Sequence, residues 1–250
     1  MSADVIAGER IRALAGDAVP GVVVLVAGPE GVRAAGAAGL ADIAARVPAS
    51  PGMVCPWFSM TKMVTATAAM RLAERGVVDL DAPIAEHVPV LRQMRPGGWA
   101  SRITARHLLS HSAGLANPIP VRWVHPADQP APDPDAFLRH LLARHGKLRF
   151  EPGSRARYSN LGPLVLAAAL TTATGQLFTD LIAAQILRPL GMAATAFSYT
   201  PQTRTRAAVA YHPRRSPMRY CCRAGPSASR PDGGSRYGPS SSMAPPTAGW

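Results

Sequence analysis

A serine and a lysine stand three residues apart in Phe58-Ser59-Met60-Thr61-Lys62. If the stretch opens a helix, the two side chains share one face, about 5–6 Å apart at Cβ. An amine there can take the proton of a hydroxyl, which is the Ser-x-x-Lys route to a serine nucleophile for acyl transfer. The competing role for Ser59 is helix N-cap. A capping box would want Glu or Gln at position 62, and a cation in the first turn opposes the helix dipole. The type of base matters too. Of 27 Lys+Arg, only Lys62 and Lys147 are lysines. Arginine keeps its proton in proteins, whereas a partly buried lysine can give its proton up.

The elements that must position these groups are readable from periodicity. Met60, Met63, Val64 and Met70 recur at helical spacing over residues 59–75, and Gly76 ends the pattern. This stripe is expected to face the core. Upstream, residues 7–15 read as a short helix with Ile11 and Leu14 inward and Gly16 as its stop. The β-branched run 21–27, a turn at 28–31 and a second strand over 32–38 form a hairpin. Residues 39–56 are loop-like. Further helices are expected over 103–110, with Thr104 near the start, then over 135–145, 161–174 with Gly175 as C-cap, and 179–187. Residues 119–134 are Pro-rich and irregular.

The chain has 250 residues, 47% of them hydrophobic, enough for one sizeable core or a domain plus a subdomain. The formal net charge is +12. Much of the excess sits in residues 213–250, with six arginines against one aspartate. No basic stripe interleaved with aromatics occurs in the body, so nucleic-acid binding is not expected. No secretory leader and no apolar run of about 18–20 residues is present, so no membrane span is expected. Cys55, Cys221 and Cys222 suit neither a disulfide framework nor a zinc site, and a reducing cytoplasm is the expected location. From His212 to the end there is no Val, Leu or Ile. Such a segment cannot bury enough apolar surface to order itself. Residues 1–212 are therefore read as the domain and 213–250 as a disordered tail.

His107 and His111 raise the idea of a Ser-His pair with Ser110 or Ser112. Neither serine lies in a Gly-x-Ser-x-Gly elbow, and both histidines are read as structural.

Several blocks follow Ser59 in order. They are His107-Leu108-Leu109-Ser110-His111-Ser112-Ala113-Gly114-Leu115, Glu151-Pro152-Gly153, Tyr158-Ser159-Asn160 and Pro189-Leu190-Gly191-Met192. With Gly39-Leu40-Ala41-Asp42 and Ser59-Met60-Thr61-Lys62, they make residues 10–199 resemble the serine β-lactamase-related family, which spans class C β-lactamases, D,D-peptidases and related esterases. The resemblance implies an α+β fold of the β-lactamase/transpeptidase type, with an antiparallel sheet, flanking helices and a helical region. It implies that Ser59 is the nucleophile, that Lys62 helps deprotonate it, and that Tyr158 is general base or proton shuttle. Asn160 would bind the substrate amide, although its position also suits an N-cap for the helix at 161. The Ser59 N–H would be one oxyanion donor. No metal or organic cofactor is implied, and the partner is a small-molecule or peptide substrate: a β-lactam, a D-amino-acid peptide or a carboxylic ester.

One family feature is absent from these 250 residues. The third motif, Lys-Thr-Gly or His-x-Gly on a C-terminal strand, does not occur. The resemblance fades near residues 211–218, and the C-terminal strands of the sheet are expected to be missing, as in a truncated end. Loss of one oxyanion donor costs roughly 10²–10³ in turnover. Weak hydrolysis is the expectation, with a non-catalytic remnant or acyl-trapping ligand-binding module as the alternative.

Overall fold

The computed structural model describes residues 11–14, 19–118, 132–213 and 237–239. They belong to two compact units, one of residues 57–198 and one built from the described residues up to 56 and from 199 onward.

In the helical unit, a 3₁₀ turn at Phe58–Met60 leads into α1 (Thr61–Glu74). Gly76, at φ 69°, takes the chain out of it. Then come α2 (Gly97–Ala100), α3 (Ala105–Leu109), α4 (Pro134–His145), α5 (Leu161–Thr174) and α6 (Phe178–Ile182). A π-helical turn over Ala183–Leu187 continues α6. Capping explains several boundaries. Thr104 accepts from the His107 N–H at the start of α3, and Asp133 accepts from the Ala136 N–H at the start of α4. Gly175, left-handed at φ 67°, closes α5 by donating to the Thr171 carbonyl.

The core of this unit is organised on α5. That helix is apolar nearly all round, and Leu161, Val165, Leu166 and Leu170 are buried. A helix of that kind belongs inside a domain. Helices α1, α3, α4 and α6 all pack against it. No single described helix is long and apolar enough to cross a membrane.

The stripe expected to face the core holds only at Val64, which packs against it, and fails at the methionines. Met60, Met63 and Met70 are 50%, 58% and 50% exposed. The buried face is Thr65, Ala68, Ala69 and Leu72 instead. Small side chains let α1 approach α5 and α6 closely, and that packing overrides the larger methionine stripe.

In the second unit, β1 (Gly21–Gly28) and β2 (Gly31–Asp42) form an antiparallel hairpin, with an irregularity between Val26 and Ala27. β3 (Val47–Pro48) pairs with the end of β2. The expected loop over 39–56 is thus partly strand. Gly21 and Gly39 are paired across β1 and β2 because backbone approaches backbone there. A Cβ at Gly21 would strike the Leu40 carbonyl, and one at Gly39 the Pro20 carbonyl. Ile11 is buried and lies over Gly36, whereas Leu14, expected inward, is 60% exposed. Gly16 and residues 119–131 lie outside the described residues.

After residue 198 the chain forms α7 (Pro201–Arg204) and runs past Val54 and Ala41 with backbone hydrogen bonds to both. The Tyr211 hydroxyl donates to Asp42 and accepts from the Ile43 N–H. β4 (Tyr211–Pro213) pairs with β5 (Tyr237–Pro239). Of the segment 213–250, only 213 and 237–239 are among the described residues. Among those residues the hairpin sheet has three strands.

Candidate active site

All four residues singled out from the sequence lie in the helical unit, and their polar atoms meet. Ser59 sits in the 3₁₀ turn just ahead of α1, and Lys62 is in the first turn of α1. The i, i+3 spacing does what helix geometry requires: Lys62 Nζ donates to Ser59 Oγ over 3.2 Å. Lys62 Nζ also donates to Asn160 Oδ1 over 3.0 Å. The Tyr158 hydroxyl lies 2.9 Å from Ser59 Oγ. Since Ser59 Oγ accepts from Lys62, its own proton is free to point at Tyr158, the direction needed for transfer.

The residue before the nucleophile is unusual. Phe58 has φ 45°, a left-handed conformation uncommon for a bulky residue. It turns the chain sharply so that Ser59 is presented at the start of α1. The Ser59 N–H has no hydrogen-bond partner among the described residues and is available to a developing oxyanion.

Tyr158 is reached through a loop rather than a helix. Burial pushes its phenol up. The hydrogen bonding and charge of Lys62, together with the Ser59 hydroxyl, outweigh burial and hold it below its ordinary value. The Lys62 ammonium also lies 5.0 Å from the centroid of the Tyr158 ring. With its side chain 43% exposed, Tyr158 is not a packed core aromatic.

Asn160 does not cap α5 with its side chain. Ser159 takes that role: its buried hydroxyl accepts from the N–H groups of Leu161 and Gly162 and donates to the Ala116 carbonyl. The Asn160 amide is thereby left for Lys62. Asn117 holds it in that orientation. Asn117 Oδ1 accepts from both the Asn160 N–H and Nδ2, each over 3.0 Å, which turns Asn160 Oδ1 toward the amine. Sequence reasoning missed Asn117, for which spacing carries no signal.

The loop from Ser110 to Asn117 is the frame for this side of the site. The Arg157 and Ser159 N–H groups donate to His111, at its carbonyl and at Nδ1. The Gly153 N–H donates to Ser112, and the Arg149 N–H to Gly114. Gly114, at φ 77°, has no room for a Cβ against the Phe150 carbonyl. His107 is a capping residue, with Nδ1 accepting from the Thr104 N–H. Ser110 and Ser112 hydrogen-bond to each other and not to either imidazole. Among the described residues no group of three or more His, Cys, Asp or Glu could hold a metal ion.

A family model described as Beta-lactamase matches residues 9–244. The chain belongs to that family. The AmpH D-alanyl-D-alanine-carboxypeptidase/endopeptidase of Escherichia coli K12 is 33% identical over 152 residues, which is 61% of this chain and 39% of AmpH. The esterase EstB of Burkholderia gladioli is 33% identical over 207 residues, 77% of this chain and 50% of EstB. The solved structure of EstCE1, described as a hydrolase with promiscuous acyltransferase activity, aligns with a TM-score of 0.69 at 28% identity, over 92% of this chain and 57% of EstCE1. The β-lactamase/transpeptidase-like α+β fold is thus shared. The chain spans about half the length of the curated relatives it matches or less.

Proposed function

We propose that this β-lactamase-family chain is a serine hydrolase that acts on an amide or ester through an acyl-enzyme. The observation that carries this reading is the position of Ser59 Oγ, 3.2 Å from Lys62 Nζ and 2.9 Å from the Tyr158 hydroxyl. A lowered phenol beside a hydroxyl makes a general base, and the lysine charge favours its anion.

In this mechanism Tyr158, as phenolate, takes the Ser59 proton while Oγ attacks the substrate carbonyl carbon. The tetrahedral oxyanion forms against the Ser59 N–H. Tyr158 returns the proton to the leaving amine or alcohol as the C–N or C–O bond breaks, which leaves an ester on Ser59. A water then gives a proton to Tyr158 and attacks the same carbonyl; the bond to Ser59 Oγ breaks, Tyr158 passes that proton to Oγ, and the acid leaves with Ser59 and the phenolate restored. Every proton is carried by side chains, so neither metal nor organic cofactor is needed. Asn160 fixes Lys62 and offers amide contacts to the substrate. The relatives carry names of a D-alanine carboxypeptidase/endopeptidase and an esterase, which favours a D-amino-acid peptide or a carboxylic ester as substrate. These 250 residues contain no Lys-Thr-Gly or His-x-Gly motif, so a chain limited to them is expected to turn over slowly for want of that oxyanion donor.

The test is labelling with a fluorophosphonate and a fluorescent penicillin, with p-nitrophenyl acetate and nitrocefin as turnover reporters. Labelling abolished by Ser59→Ala, followed by release, supports the hydrolase. Stable labelling points to an acyl trap. No Ser59-dependent labelling overturns the reading.

A further inference from the structure

His111 belongs to no step of the mechanism above, yet it touches the proposed base from three directions. Its carbonyl accepts from the Arg157 N–H over 2.9 Å, and its Nδ1 accepts from the Ser159 N–H over 3.4 Å. Its ring lies against the Tyr158 ring, with centroids 4.6 Å apart and planes at 41°. The residues before and after Tyr158 are therefore tied to one residue, and the side chain between them leans on the same imidazole. His111 also adopts φ 56°, and with Phe58 it gives two left-handed non-glycine residues around one site. Backbone strain of this kind persists only where surrounding contacts enforce it.

We propose that His111, as the neutral imidazole protonated on Nε2, is a positioning residue that holds Tyr158 against Ser59, and that its protonation releases Tyr158. The inference rests on the hydrolase reading for its kinetic consequence but not for its geometry. The chemistry follows from the acceptor. Nδ1 can accept from Ser159 only while it carries a lone pair, and the imidazolium would set two donors face to face. The groups facing the ring agree. Lys62 from α1 and the Tyr158 phenol both lie beside it, and Arg157 on the gripped segment is an exposed cation. Burial, then the Lys62 charge, hold the imidazole below its ordinary value. The neutral clasp is thus the state at neutral pH, and it is lost as pH falls below the ordinary imidazole range.

Two readouts test this. The first needs no turnover: the Tyr158 phenol is titrated by ultraviolet difference against Tyr158→Phe. His111→Ala should move that titration upward, because the phenol drifts from Lys62 and Ser59. The second is kinetic. His111→Ala should lower kcat roughly 10–100-fold with KM little changed, the size expected when a base is displaced by about an ångström. His111→Asn tolerates the left-handed backbone and keeps an acceptor. It should recover most of kcat, and it should lack the steepening of the acid limb of kcat/KM expected of the wild type below pH 6.5. An unchanged phenol titration in His111→Ala overturns the proposal. So does a variant whose only defect is a lower thermal midpoint. If His111→Ala does not fold, His111→Asn decides: an acid limb identical to wild type overturns it. If wild type shows no Ser59-dependent chemistry, the hydrolase reading fails, and the phenol titration alone still judges His111.

Discussion

The two sides of the site are built by different means. Ser59 and Lys62 come from one turn and the helix it starts, fixed by helix geometry and by the packing of Ala68, Ala69 and Leu72 beneath them. Tyr158 and Asn160 come from an extended segment held by single hydrogen bonds to the 110–117 loop, with only Ser159 buried. A helical spacing is robust to most side-chain changes. A clasp of individual hydrogen bonds is not, because each bond contributes about 0.5–1.5 kcal/mol and directs one group. Substitutions on the helix side should therefore separate chemistry from stability, and substitutions on the loop side should mix them.

The largest effect is expected from Lys62→Met. Methionine matches lysine in helix propensity and in length, so the urea midpoint should hardly move. Serine acylation should fall by roughly 10³-fold or more, in line with removal of a group that activates the nucleophile. The Tyr158 phenol should titrate higher, because the charge that offsets its burial is gone. A matching loss of stability would break the contrast between the two sides. Gly114→Ala is the loop-side counterpart. Alanine would be forced into φ 77° and against the Phe150 carbonyl. Left-handed strain and overpacking together predict a loss of about 2–4 kcal/mol in urea unfolding, with a fall in turnover alongside. A stable but inactive Gly114→Ala would show that the loop acts on chemistry alone.

The same division decides what could be read from the sequence. The helix side was legible because a three-residue spacing has one geometric meaning, and because Gly76 and Gly175 mark real helix ends. The fold class followed from ordered motifs, and the family match agrees with it. Tyr158 stands 99 residues from Ser59, and no periodicity links them; only the resemblance paired them. The methionines misled because α1 is apolar on both faces, so periodicity could not choose between Met63 and Ala68. His111 and Asn117 were invisible as partners, since a hydrogen bond across a loop leaves no trace in spacing. The one available signal was the placement of His111 in an ordered block between the two halves of the site.

Asn117 gives the smallest and most selective test of the contrast. It is exposed, and among the described residues its side chain hydrogen-bonds to Asn160 alone, accepting twice. Asn117→Ala should therefore cost stability little, within about 1 kcal/mol for one exposed hydrogen-bonding side chain. The effect on chemistry should be larger than that on stability. Without Asn117 the Asn160 amide is free to turn over, presenting Nδ2 to Lys62 in place of Oδ1. Two donors then face each other, and Lys62 is drawn off Ser59. A fall of roughly tenfold in the rate of Ser59 acylation is expected, read by fluorophosphonate labelling. Asn117→Asp keeps an acceptor for both Asn160 donors and should retain most of the rate. If Ala and Asp behave alike, Asn117 fills space rather than orienting the amide, and the clasp reduces to its His111 end.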